Sequence, residues 1–288
     1  MQSQLVFGEK NEIKRLRVQN SLLSAYEDPI FAQIFSEGQE LTVLDIGCND
    51  GSKTVERFSS NTVSKVVGLE YNADLVIKAQ KKYGNARCSF YQLDVEAPDF
   101  ANKLREIMSE KTIRSFDVIY LSFVLMHLKD TKKLLCALQP FLSENGKILI
   151  IEANDSASTL SNDTSGLLSE YFDILKKDKY SGNREVGRYI CETLCECGYE
   201  NIRVWQDSIS AGIGEKEKKK AIFTTFFSYL PEDVKLLSLL EPDNEDYKKW
   251  ALWIDEKYKI LKRLILQEKS EISMGMKFLT CTRSNHDT

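Results

Sequence analysis

Three acidic residues close three successive apolar runs. Asp45 stands near the end of Thr42-Val43-Leu44-Asp45-Ile46, Glu70 ends Val66-Val67-Gly68-Leu69-Glu70, and Asp94 follows Cys88-Ser89-Phe90-Tyr91-Gln92-Leu93. If these runs are parallel strands of one sheet, the acids line the crevice at the strands' carboxyl ends, where open α/β sheets bind ligands. A carboxylate in the position of Glu70 can accept both hydroxyls of a ribose, and one in the position of Asp94 can reach the amino group of an adenine. One acid at a strand end is commonplace, but three in succession form a pattern.

Between the first run and the helix expected from Lys53 onward lies a turn, Gly47-Cys48-Asn49-Asp50-Gly51. Glycine belongs where backbone must pass close to a ligand, and amides at a helix start offer donors there. A dinucleotide turn would carry Gly-x-Gly-x-x-Gly. Here the order is Asp45-x-Gly47-x-Asn49-x-Gly51. An acid in the place of Asp45 repels a pyrophosphate and attracts a ligand that carries an ammonium group, which disfavours a nucleotide-dependent oxidoreductase.

The elements that must hold these residues follow from periodicity. Two further runs, Phe116–Leu121 and Lys147–Ile151, continue the series of near-continuous apolar strands separated by helical stretches. That pattern predicts a doubly wound, mostly parallel α/β sheet, covered on both faces. Residues 1–40 read as a helical cap in which Asp28-Pro29 opens a second short helix, and 41–214 form the sheet core. Residues 155–165 read as a polar loop, and 215–270 as a helical lid insertion. Within that insertion Tyr247, Trp250, Ile254, Tyr258, Leu261 and Ile265 mark one long amphipathic helix. Residues 271–288 supply a closing strand, Met276–Thr282, and a tail.

Composition narrows the class. The chain has 288 residues, and 39 Lys+Arg against 43 Asp+Glu leave a net charge of -4, which argues against broad binding to DNA or another polyanion. Seven cysteines are too sparse for a disulfide scaffold and read as reduced thiols of a cytoplasmic protein. No run approaches the roughly 18 apolar residues of a membrane span, and residues 1–10 lack the pattern of a secretory leader.

Taken together, residues 40–155 resemble the class I S-adenosylmethionine-dependent methyltransferases. Val43-Leu44-Asp45-Ile46-Gly47-Cys48-Asn49-Asp50-Gly51 resembles the first motif of that family, and Glu70 and Asp94 match its ribose- and adenine-binding acids. Phe116–Tyr120 followed by Leu121–Leu128 resembles its fourth motif. The resemblance implies a Rossmann-like, seven-stranded sheet with the last strand antiparallel, and S-adenosylmethionine as cofactor, leaving S-adenosylhomocysteine. It implies that Gly47 and the backbone near Leu121 and Ser122 contact the methionine part, while Tyr71 and Val95 flank the adenine. Asn49 departs from the pattern, since the family often has glycine there. More weakly, Arg15-Leu16-x-x-Gln19 is similar to the N-terminal helix of bacterial small-molecule methyltransferases. Arg15 and Gln19 are i,i+4 neighbours, and the guanidinium either clamps the methionine carboxylate or belongs to an exposed face.

The acceptor is narrowed by what the chain lacks. None of its five prolines is followed by proline or cysteine, so it lacks the motifs that DNA amino- and cytosine-methylating enzymes carry. No metal is expected; Asn154 and Asp155 fit a loop start better than a metal site. Cys191, Cys195 and Cys197 raise soft-metalloid chemistry, but cysteines on a packed helix behave as small hydrophobes. The expected reaction is methyl transfer to O or N of a small metabolite, by a monomer or homodimer. The alternatives are a non-catalytic S-adenosylmethionine-binding regulator or partner protein, and a methyltransferase for a protein or tRNA acceptor. A base is required only for a hydroxyl, thiol or protonated amine. His127 is the foremost candidate, because the only other histidine, His286, falls near the end of the chain. Tyr26 and Asp155 are outsiders.

Overall fold

Five parallel strands form where the apolar runs are: β1 (Leu41–Ile46), β2 (Val63–Glu70), β3 (Cys88–Gln92), β4 (Phe116–Ser122) and β5 (Leu142–Ala153). The computed structural model describes residues 10–35, 40–178 and 181–284. Val43, Leu44, Val118, Ile119, Ile148 and Leu149 are fully buried, as strands covered on both faces require. Strand order is β3-β2-β1-β4-β5. It reverses between β1 and β4, and that switch point opens a crevice at their carboxyl ends.

Three further strands complete the sheet: β6 (Thr159–Leu160), β7 (Tyr199–Ala211) and β8 (Ile272–Arg283). β8 runs antiparallel to β5, pairing Ile150 with Leu279, and β7 pairs with β8. Among the described residues the sheet thus has eight strands rather than seven. The added one is the two-residue β6, whose Thr159 pairs with Ser273 of β8 inside a stretch that local composition marks as loop.

The chain divides into two compact units. The sheet unit comprises Asp28–Asn154, Asn183–Asp207 and Met276–Thr288, and the helical unit Met1–Glu27, Asp155–Gly182 and Ser208–Gly275. Helix α1 (Lys10–Phe35) is one continuous element with Pro29 inside it. A proline there removes a backbone bond, but Ile30, Phe31 and Ile34 are buried and hold the last turns in place, so no second helix begins. The sheet unit is covered by α2 (Ser52–Arg57), α3 (Ala73–Tyr83), α4 (Phe100–Glu110), α5 (Thr131–Leu138) and, beyond α6 in the chain, α7 (Val186–Glu196).

The helical unit contains α6 (Leu167–Lys177), α8 (Lys216–Phe226), α9 (Leu230–Leu240), α10 (Glu245–Trp253) and α11 (Lys259–Leu266). A π-type turn, Ile254–Tyr258, joins the last two, so the aromatic stripe lies on two helices in series. Phe223, Phe226, Phe227 and Trp250 are buried in the core of this unit. Lys219, which the Lys218-Lys219-Lys220 run suggested was solvated, is also buried, and its ammonium donates to the carbonyls of Gln267 (2.7 Å) and Glu268 (3.0 Å) just past α11.

Cys136 of α5 and Cys197, which follows α7, form a disulfide; Cys48, Cys88, Cys191, Cys195 and Cys281 are free. The expectation of reduced thiols throughout therefore fails for one pair. A low cysteine count excludes a scaffold, but it does not foretell that two helix ends 61 residues apart in sequence meet. No helix among the described residues is long and apolar enough to cross a membrane.

Candidate functional site

The site is built on the turn after β1. Asp45 is buried, and its Oδ2 accepts from the Thr54 hydroxyl of α2 at 2.6 Å. Gly47 has φ 74°, and a Cβ there would stand 2.6 Å from the Cγ2 of Val124. That close approach and the left-handed backbone require glycine. Asn49 also has positive φ, 51°. Asparagine tolerates this region better than other non-glycine residues, which explains how the chain departs from glycine without losing the turn. The Asn49 side chain accepts from the Asp50 amide at 2.7 Å, and Asp50 accepts from the Ser52 amide at 3.0 Å, so the loop caps itself into α2. Replacing Gly47 by alanine is expected to destabilise the protein by about 1–3 kcal/mol through overpacking and left-handed strain. Thermal denaturation measures this, and an unchanged Tm would contradict it.

Glu70 faces this loop from the end of β2. One carboxylate oxygen accepts from the Asn49 amide at 3.0 Å and the other from the Asn72 amide at 2.9 Å. Each oxygen retains a lone pair, and the residue is half-buried. Next to it Tyr71 is exposed (57%), as is Asp94, which accepts from the Glu96 amide at 2.9 Å, while Val95 packs against the core. Asp45, Gly47, Asn49, Gly51 and Glu70 are thus brought together at the ends of β1 and β2, with Asp94 and Val95 following β3.

On the far side of the crevice, Ile46 of β1 pairs with Leu121 of β4, which places Gly47 next to Ser122. Leu121 is buried and Ser122 half-buried. Phe123 then adopts φ 55°, a rare conformation for a bulky side chain and a mark of strain at functional sites. Sequence reasoning missed two side chains here. Lys53 reaches from α2 to β4, its Nζ 2.9 Å from the Ser122 hydroxyl and 5.2 Å from the centroid of the Tyr120 ring. Its signal was a lysine two residues beyond Gly51. Glu152 is fully buried at the end of β5, and one oxygen accepts from the amides of Val124 (2.9 Å) and Leu125 (2.6 Å) while Oε2 has no hydrogen-bond partner. Burial pushes its pKa up to about 8 against the lowering effect of those amides and Arg184. A charged residue closing the apolar run Ile148–Glu152 was its signal.

His127 ends a short 3-10 turn, Leu125–His127, that Glu152 holds. Surrounding protein and the Arg184 cation lower its pKa from the usual 6.5 to about 4, although the residue as a whole is exposed. It is therefore neutral at pH 7, and a weaker base than a free imidazole. His286 lies outside the described residues.

The other expected residues belong to the helical unit. Arg15 donates to both carboxylate oxygens of Glu12 (2.6 and 2.7 Å), to Gln19 at 2.9 Å and to the Thr225 carbonyl at 2.8 Å. Burial and the carboxylates of Asp178 and Glu12 push the nearby Asp233 up to about 7. Arg15 and Gln19 are thus not an exposed face but members of a network inside that unit. Tyr26 is half-buried with the Lys218 ammonium 5.7 Å from its ring centroid, and Asp155 is buried in a 3-10 turn after β5. Among the described residues, no three His, Cys, Asp or Glu side chains gather as a metal-ligand group.

A family model described as a methyltransferase domain matches residues 37–226. No curated protein sequence matches the chain. Among solved structures, the chain is similar to the YcgJ protein from Bacillus subtilis, with 14% identity over 91% of this chain and 99% of that one and a TM-score of 0.52. A second is a Galdieria sulphuraria protein assigned as a sarcosine dimethylglycine methyltransferase, with 13% identity, 93% and 86% coverage and a TM-score of 0.52. At such identities the likeness is one of fold.

Proposed function

The chain belongs to the methyltransferase-domain family, and from that premise we propose that it binds S-adenosylmethionine and transfers its methyl group to O or N of a small metabolite. The carrying observation is the arrangement around the first turn. Asp45 lies at the end of β1, Glu70 offers one lone pair on each oxygen, and Gly47 leaves a cradle that a side chain would fill. These groups suit an adenosine whose sulfur end is cationic: Glu70 receives the ribose hydroxyls, Asp94 the adenine amino group, and Tyr71 and Val95 flank the ring. Asp45 favours the ammonium end, and the backbone at Leu121 and Ser122 lies beside it.

When bound, S-adenosylmethionine supplies a methyl group already activated on a sulfonium. The protein's work is then to hold donor and acceptor in line and to exclude water, which can lower a barrier by about 7–11 kcal/mol. Where the acceptor must lose a proton, His127, placed just after β4, is the base we assign, although the Arg184 cation and its surroundings weaken it; Tyr26 and Asp155 are secondary candidates. Residues 1–40 and 215–270 select the acceptor, and the protein acts in the cytoplasm as a monomer or homodimer.

Calorimetry with S-adenosylmethionine, S-adenosylhomocysteine and the nicotinamide dinucleotides tests the reading. Micromolar binding of the sulfur ligands alone is expected. Binding of a dinucleotide with neither sulfur ligand overturns it, and binding without transfer from labelled cofactor to any small-molecule extract favours a regulator or a protein or tRNA acceptor.

A further inference from the structure

We propose that Glu152 is a positioning residue for the amino-acid end of the cofactor: it fixes the turn after β4 against Gly47 and so sets the width of the crevice there. This role deepens the cofactor reading above and rests on it. The chain leaves β4 under strain. Phe123 adopts φ 55° while its amide still donates to the Ile151 carbonyl at 2.9 Å. A bulky side chain in that region has to be held by its surroundings. The hold comes from the next residue of β5. One oxygen of Glu152 accepts from the amides of both Val124 (2.9 Å) and Leu125 (2.6 Å). With those amides fixed, the Cγ2 of Val124 stands 2.6 Å from where a Cβ of Gly47 would be. The wall that requires glycine at 47 is thus placed by an acid on β5.

Stability alone does not call for this acid. Glu152 is fully buried, and its Oε2 meets no hydrogen-bond partner among the described residues, which is a costly arrangement. Its support is firm. Gly187 lets α7 come so close to the end of β5 that a Cβ there would stand 2.7 Å from the Ala153 carbonyl. The hold is also local. Glu70 and Asp94, the acids for the adenosine half, accept from other amides, those of Asn49, Asn72 and Glu96. Loosening the turn after β4 therefore widens the crevice beside Gly47 and leaves the adenosine half of the site in place.

The test is calorimetry with two ligands that differ in the amino-acid end: S-adenosylhomocysteine, which has it, and 5′-methylthioadenosine, which lacks it. Glu152→Leu leaves the two amides without an acceptor, so affinity for S-adenosylhomocysteine should fall about tenfold or more, while affinity for methylthioadenosine stays within about twofold. Glu152→Gln keeps an oxygen for the amides and should recover most of the loss. The retained methylthioadenosine value also shows that the variant is folded. Should Glu152→Leu not fold, Val124→Ala shortens the same wall without touching those bonds, and it should lower S-adenosylhomocysteine affinity about threefold or more with the same selectivity. If the folded variant weakens both ligands equally, or neither, Glu152 serves the fold alone and the cofactor reading stands. If the wild-type protein binds neither ligand, both fall together.

Discussion

Alanine in place of Glu70 should cut affinity for S-adenosylhomocysteine by roughly two orders of magnitude while the protein remains folded. Two effects add. The ribose hydroxyls lose a charged acceptor, at about 1.5–3 kcal/mol, and the amides of Asn49 and Asn72 lose theirs, at about 1 kcal/mol or more. The second effect matters because those amides shape the glycine turn that receives the ligand. Both Asn49 and Asn72 are half-buried, so water can satisfy their amides and the fold survives. Glu70→Gln should fail nearly as badly, since its amide nitrogen would face a backbone donor. Calorimetry on the three proteins measures this, and an affinity within threefold of wild type for Glu70→Ala would remove Glu70 from the site.

The second large effect is on stability. A carboxyl whose pKa rises from 4.5 in the unfolded chain to about 8 in the folded protein keeps its proton where the unfolded chain has lost it. Between those two values the folded state binds more protons, so stability falls as pH rises, and above about 8 the full cost is present. For Glu152 that cost amounts to several kcal/mol, on the order of 3–5. Glu152→Gln removes it and keeps an oxygen for the amides of Val124 and Leu125. Denaturant unfolding at pH 6 and pH 9 should show a steep decline for wild type and a shallow one for the variant, which should be the more stable protein at pH 9. Parallel declines would mean that Glu152 is not the titrating group.

The five strands, the crevice acids and the glycine turn were legible in the sequence because each rests on a local pattern: an apolar run of fixed length, a terminal acid, and glycines at fixed spacing. The remainder depends on contacts between distant residues. Pro29 predicts a break by its own chemistry, yet buried side chains on the following turn outweigh it. Thr159-Leu160 has the composition of a loop and becomes a strand only through β8. Arg15 was correctly seen to share a helix face with Gln19, but Glu12 and the carbonyl of Thr225, 210 residues away, decide what it bonds. Lys53 and Glu152 were visible as residues and unreadable as site members, since their importance depends on Ser122 and on the Val124–Leu125 amides.

One consequence of the topology concerns synthesis on the ribosome. β5 offers one edge to β4 and the other to β8, and β8 also pairs with β7. Translation delivers Met276–Cys281 well after β5 and β7, which precede it in the chain. Until then the β5 edge that β8 will cover carries unpaired amides and carbonyls, and β7 lacks its partner. A nascent chain stalled before that point exposes a template for strand addition. Pairing of β8 is thus the closing step of the sheet, and a chain cut before Met276 should go to aggregation or proteolysis rather than leave a shortened but working sheet.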